Sequence, residues 1–381
     1  MNVKETDRTY LSGTYNRFDL WITRGKGALC YDDHGREYID MTSGIGVNAF
    51  GYSDPVWAEA VARQASLLQH TSNLYYTEPC AALAEMLCTR TGMKKVFFSN
   101  SGAEANECAV KAARKYAAAH HSTESYRIIT LKKSFHGRTL TTLAATGQEG
   151  FHTRFLPLTE GFLYAEPNDI EGLRDLVENN KVAGILLEIV QGEGGVNLLS
   201  EPFLKAAEQL CREHDLVFMI DEVQTGNGRT GELYAYMHYG LSADVITTAK
   251  GLGGGLPIGA TLLGERIADI FEKGDHGSTF GGNPVCAAAA LSVLSRLDDA
   301  FLREVARKGD YIREQLSDHE VSGLGLMVGI KTDKPVSEVI KSCMDNGVLC
   351  LSAKEKLRLL PPLNIEWEQL SRAIDVIRAC L

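Results

Sequence analysis

Three groups of side chains in this 381-residue sequence stand where they can do chemistry. Lys250 ends the apolar run "ADVITTAK" (243–250) and precedes the glycines of "GLGGGLPIGA". An amine desolvated there has a lowered pKa and serves as an imine-forming nucleophile; a lysine at such a point can equally snorkel to the surface. Asp221 and Glu222 abruptly end the apolar stretch 216–220 of "DLVFMIDEVQTGNGRTG". A carboxylate beside a buried strand is costly unless something positive meets it. In "SNSGAEAN" (99–106) Ser101 precedes Glu104 by three residues, the spacing of a capping box that starts a helix. The free N–H groups of Gly102 and Ala103 at that start suit a phosphate, and Gly102 lets the backbone come close. A strand-to-helix turn without a ligand fits the same residues.

Five short apolar runs must position these groups: "KKVFFSN" (94–100), "YRIITLKKS" (126–134), "VAGILLEIV" (182–190), "DLVFMID" (215–221) and "ADVITTAK". Their continuous apolarity suits strands covered on both faces, as in a parallel sheet with helices on each side. After Ser101, residues 105, 108, 109, 112, 113 and 116 recur at helical spacing, with Lys111, Arg114 and Lys115 off that stripe. Each run ends in polar or glycine-rich sequence, and ligands in open α/β sheets bind beyond the carboxyl ends of the strands. The expected fold is therefore α/β: a large domain with a mainly parallel central sheet over 51–295, and a smaller α+β domain over 296–381. That small domain includes an N-terminal segment, 1–50. Its expected elements are a charged helix over 302–317, then "GLGLMVGIK", then two short helices around "LRLLPPLNI".

The net charge of −10 and pI near 5.6 argue against a nucleic-acid binder or an anionic-membrane surface. Nine cysteines, an odd number without CxxC spacing, point to reduced thiols rather than disulfides or a metal site. The opening "MNVKETDRTY" has no apolar signal-like core, and no run has membrane-spanning length. A soluble cytoplasmic protein without bound metal is expected. The glycines after Lys250 do not satisfy GxGxxG, and GxxxxGK[ST] occurs nowhere, which disfavours dinucleotide and P-loop sites.

A phosphate cradle, an amine anchor and a buried acid together fit an aldehyde cofactor with a phosphate tail and a pyridine ring. Pyridoxal 5'-phosphate (PLP) needs an anion opposite its ring nitrogen, because the protonated pyridine is the better electron sink. Asp221 would be that anion, and Glu222, on the other side of the strand end, would be structural. The ordered blocks "NLYYTEP", "FFSNSGAEANE", "SFHGRTLTTLAATGQ", "EIVQGEGGV", "IDEVQTGNGRTG", "TTAKGLGGGLPIGA", "GSTFGGNP" and "LRLLPPL" cover nearly the whole chain. In them the sequence resembles the class III, PLP-dependent aminotransferases of fold type I.

The resemblance implies that Lys250 binds the cofactor aldehyde covalently and later moves the substrate proton. It implies that Asp221 pairs with the ring nitrogen, that Gly102 and Ala103 hold the phosphate with Ser101 beside them, and that Phe135 and Val223 sandwich the ring. Gln224 bonds the ring hydroxyl. Ser278 and Thr279 reach across a homodimer interface, Ser278 to substrate and Thr279 to the partner's cofactor phosphate. Arg138 resembles the α-carboxylate clamp, a bidentate role that lysine does not fill. Arg358 resembles a second arginine that takes the distal carboxylate of glutamate, and Glu193 pairs with it when the other substrate lacks that group. The lone histidines His136 and His152 are read as structural. "TSGIGVNAFG" (42–51) is read as substrate-tunnel lining. The implied reaction carries the δ-amino group of N2-acetyl-L-ornithine to 2-oxoglutarate, a step of arginine biosynthesis. Succinylornithine, succinyldiaminopimelate, ornithine and 4-aminobutyrate are alternative donors; an aminomutase or a non-catalytic protein of the same fold are the remaining alternatives. "GYSDP" in place of Gly-His-x-His-Pro, and Asn227 within "GNGRTG", depart from the family pattern.

Overall fold

The computed structural model describes residues 2–381. Its central sheet has seven strands: β1 (Lys95–Ser99), β2 (Arg127–Leu131), β3 (Phe162–Ala165), β4 (Val182–Leu187), β5 (Val217–Asp221), β6 (Val245–Thr248) and β7 (Gly259–Leu263). They lie in the order β1-β7-β6-β5-β4-β2-β3. All five apolar runs are strands of this sheet. The neighbours from β6 through β3 pair in parallel, whereas β7 is antiparallel to both β6 and β1.

Every residue of β4, β5, β6 and β7 is buried, which explains their unbroken apolarity. The two faces of β5 sort by alternation. Val217 and Met219 pack with helix α1 (Gly102–His120), while Phe218 and Ile220 join the larger core on the other face. The anticipated stripe of α1 is buried at 105, 108, 109, 112, 113 and 116, and Asn106 lies buried among those residues.

Residues 296–381 hold the helices Asp299–Gln315, Val336–Asp345 and Trp367–Cys380. They also hold an antiparallel sheet of Val321–Leu324, Met327–Lys331, Lys356–Leu359 and Leu351–Ala353. "LRLLPPL" is a strand and its exit, standing between the helices Val336–Asp345 and Trp367–Cys380. Arg358 sits on it opposite Gly329. The N-terminal strands Ile22–Lys26, Leu29–Asp32 and Glu37–Asp40 form another sheet, closed in parallel by Val348–Leu349. No helix among the described residues is long and apolar enough to cross a membrane.

Candidate active site

The loops that follow β1, β2, β4, β5 and β6 converge on a cavity of about 460 Å³. Of the anticipated residues, Ser101, Gly102, Ala103, Phe135, Arg138, Glu193, Asp221, Val223, Gln224 and Lys250 line it, as does Val47 of the 42–51 loop. Arg358 borders it through Glu193 and Gln224.

At the start of α1 the Ser101 hydroxyl accepts from the Glu104 N–H (3.2 Å), and the Ala105 N–H reaches the Ser101 carbonyl (3.0 Å). Glu104 reaches back one residue further than the usual capping box, to the Asn100 N–H at 2.8 Å. A helix start leaves its first N–H groups without intrahelical acceptors. Those of Gly102 and Ala103 have no acceptor among the described residues. A Cβ added at Gly102 would fall 2.6 Å from Val223 Cγ1, so glycine is what allows Val223 to close over this turn.

Asp221 ends β5 with 4% of its surface exposed. Its Oδ2 accepts from Asn106 Nδ2 (2.7 Å) and from His136 Nδ1 (2.8 Å), and its Oδ1 accepts from the Val223 N–H (3.0 Å). An ionised carboxylate only accepts, so the imidazole proton sits on Nδ1 and the buried Nε2 is left without a partner. His136 is a structural histidine whose ring holds the Asp221 carboxylate. His152 instead ties down a turn, with Nε2 against the carbonyls of Leu143 (3.0 Å) and Thr146 (2.7 Å).

Two further residues were not singled out from sequence. Asn106 carries a legible signal, a polar amide on the apolar stripe of α1. Glu188 carries another, an acid interrupting "VAGILLEIV". It lines the cavity and accepts from the Phe135 N–H at 2.9 Å. Burial, and then the nearby Asp221 charge, hold its carboxyl well above the ordinary range.

Lys250 opens a short 3-10 turn at φ 42°, a conformation few lysines adopt. Asn227 holds that turn from below, its amide donating to Thr248 Oγ1 (2.9 Å) and to the Ala249 carbonyl (3.1 Å). Burial lowers the Lys250 pKa, and the Arg358 charge lowers it further, against upward pulls from Glu193, Asp221 and Glu188. Arg358 is 3% exposed and donates to Glu193 Oε1 at 2.6 Å and more weakly to Gln224 Oε1 at 3.4 Å. Burial works to raise the Glu193 carboxyl, but the Arg358 charge and hydrogen bond bring it below its ordinary value. Arg138 is exposed and stacks its guanidinium 4.2 Å from the Phe151 ring and 5.6 Å from that of Phe135.

Glu222 faces away from the cavity. Its carboxylate accepts from the Thr225 hydroxyl and the Tyr236 N–H (2.8 Å), which anchors the 222–236 loop. Burial pushes its pKa up to about 7. The neutral form therefore favours the fold. That contribution is complete below the ordinary carboxylate pKa and is lost as pH rises to about 7. The expected slope is about 1.4 kcal/mol per pH unit across that window. Glu222→Gln, neutral at every pH, should lack it, so the Tm difference between wild type and variant changes between pH 5 and pH 8. Parallel Tm curves would refute this account.

Ser278 and Thr279 do not line the cavity. They border a neighbouring hollow of about 790 Å³, where the Ser278 hydroxyl accepts from Asn100 Nδ2 at 3.1 Å. Thr279 is exposed.

The family model "Aminotransferase class-III" matches residues 10–381. The chain is 50% identical over 385 residues to a Haemophilus ducreyi protein named acetylornithine aminotransferase, covering all of this chain and 98% of that one. It is 45% identical to the protein of that name from Caldanaerobacter subterraneus subsp. tengcongensis, covering 97% of each. The fold is similar to the crystal structure of ornithine aminotransferase from Toxoplasma gondii ME49, with a TM-score of 0.95, 31% identity and coverage of 99% and 94%. It is also similar to N-acetylornithine aminotransferase from Stenotrophomonas maltophilia K279a, with a TM-score of 0.85, 34% identity and coverage of 99% and 97%. A match of that extent, over a cavity of this composition, makes the chain a member of the class III aminotransferase family.

Proposed function

We infer that the protein is a PLP-dependent aminotransferase that moves the δ-amino group of N2-acetyl-L-ornithine to 2-oxoglutarate, yielding N-acetylglutamate 5-semialdehyde and glutamate. The observation that carries the reading is the Arg358–Glu193 ion pair, 2.6 Å long, on the cavity that also holds Lys250 and Asp221.

The residues fit PLP. The free N–H groups of Gly102 and Ala103, with Ser101 beside them, would hold its phosphate, and Thr279 from a second copy would add to that hold. Phe135 and Val223 would flank the ring, Gln224 would meet its hydroxyl, and Asp221 its nitrogen. When bound, the cofactor supplies an electron sink for negative charge developing at the reacting substrate carbon. The chain's own groups do the rest. Asn106 and His136 hold the Asp221 carboxylate in place. The lowered pKa of Lys250 leaves more of its amine neutral, able to take a proton from the substrate carbon and return it. Arg138 grips a substrate carboxylate, and Ser278 of a second copy would contact the substrate.

Two substrates must share this cavity in turn. Glutamate carries a carboxylate that acetylornithine lacks, and Arg358 would meet it. With acetylornithine bound, Glu193 keeps Arg358 paired, avoiding an uncompensated buried charge. Glu193→Ala should therefore depress kcat/KM for acetylornithine relative to glutamate by about tenfold. That is less than a fully buried pair would give, because Glu193 is 31% exposed. An unchanged ratio would contradict the pairing role.

A homodimer belongs to the same reading. Exposed Leu74, Tyr75, Tyr76 and Phe280 cluster near the Ser278 hollow, an apolar surface suited to a second copy. The division into a large domain over 51–295 and a small one formed by 1–50 and 296–381 is supported by the shared sheet of residues 22–40 and 348–349. Nine free cysteines, six of them buried, support a reducing cytoplasm. The deciding experiment compares kcat/KM for acetylornithine, succinylornithine, ornithine and 4-aminobutyrate with 2-oxoglutarate. Acetylornithine should lead; a wide margin for ornithine or 4-aminobutyrate would overturn the substrate assignment.

A further inference from the structure

Beside the active-site cavity, past Gly194 and Gly195, lies a second hollow of about 480 Å³. Its walls carry four lysines, 133, 331, 354 and 356, against two glutamates, 320 and 355. That balance is reversed from the chain's overall charge of −10. Lys331 and Lys356 share Glu320, at 3.3 and 3.8 Å. Lys133 and Lys354 are exposed, and neither forms an ion pair among the described residues. Both stand at left-handed backbone positions, φ 66° and 55°, where non-glycine residues are uncommon and strain tends to mark function.

The hollow adjoins the active site at two points. The Lys133 backbone packs so tightly on Gly194, the residue after Glu193, that no side chain fits there. The Lys354 ammonium lies 5.9 Å from the Phe151 ring on which Arg138 stacks. One aromatic ring therefore carries two cations, Arg138 of the cavity and Lys354 of the hollow.

We propose that Lys133 and Lys354 form a cationic approach that captures the dicarboxylate oxo-acid substrate in preference to the amine donor. This rests on the aminotransferase reading above and deepens it. At neutral pH 2-oxoglutarate carries two negative charges, glutamate a net single one, and acetylornithine balances its carboxylate with its ammonium. A cationic rim raises the local concentration of the first most and leaves the last nearly unaffected.

The test uses the holoenzyme and the double variant Lys133→Gln/Lys354→Gln, whose two positions are surface-exposed. At low salt, kcat/KM for 2-oxoglutarate should fall about tenfold, the lower end of electrostatic steering. The value for glutamate should fall less, and that for acetylornithine by less than about twofold. In about 1 M salt, where screening acts within about 3 Å, wild type and variant should converge. Equal losses for 2-oxoglutarate and acetylornithine, a loss that survives high salt, or no loss at all would overturn the proposal. Wild-type protein that fails to transaminate any of these substrates would instead sink the underlying reading, so the two failures are distinguishable.

Discussion

Lys250→Ala should lower kcat by about four orders of magnitude or more, because on the proposed reading one substitution removes both the covalent anchor and the proton carrier. The fold should survive. The side chain projects into a cavity rather than the core, and the turn beneath it is held by Asn227 through Thr248 and Ala249. Cofactor should still bind without a covalent link, since the N–H groups of Gly102 and Ala103 and the Asp221 carboxylate are untouched. The measurements are steady-state kcat, Tm, and retention of PLP after dialysis. A well-folded variant keeping more than about 1% of wild-type kcat would remove Lys250 from the chemistry, since a group that contributes general acid–base catalysis is worth at least about a hundredfold.

Asp221→Asn should lower kcat by about 10²- to 10³-fold, the scale of losing one preorganised charge beside a reacting centre. The amide matches the carboxylate in shape but not in hydrogen bonding. Asn106 and His136 both donate to Oδ2 and Val223 donates to Oδ1, so an NH2 on either side faces a donor. That mismatch costs about 1–3 kcal/mol, and weaker cofactor retention should accompany the slower turnover. The neighbouring Glu222→Gln is the internal control. It faces the 222–236 loop, so it should change the pH dependence of Tm and leave kcat nearly unchanged. Matching losses of kcat in both variants would mean that Asp221 acts only by supporting the fold.

Adjacent acids with separate tasks show how much could be read from the chain. The abrupt end of "DLVFMID" announced a carboxylate needing a partner, and strand alternation separated 221 from 222. Apolar runs gave five of the seven central strands. The strand β7 escaped because "GATLL" follows a glycine loop and opens on glycine and alanine, which carry little strand preference. Yet β7 joins two parts of the site. It pairs Gly259 with Ser99 and Ala260 with Thr248, which sets the helix start at 102 beside the lysine turn at 250. Asn106 and Glu188 were visible as polar residues in apolar company, but nothing local said what they touch.

By itself the sequence determined the chemical kinds present: an amine after one strand, an acid ending another, open N–H groups at a helix start, and arginines fit for carboxylates. These properties are local, because burial periodicity, backbone preference and charge are carried by each residue and its near neighbours. Only the tertiary structure decided the pairings. His136 meets Asp221 across 85 residues, and Arg358 meets Glu193 across 165. A hydrogen bond acts over about 3 Å, so such partners are chosen by strand order and by the docking of the Lys356–Leu359 strand against the cavity. Local pattern does not encode that order.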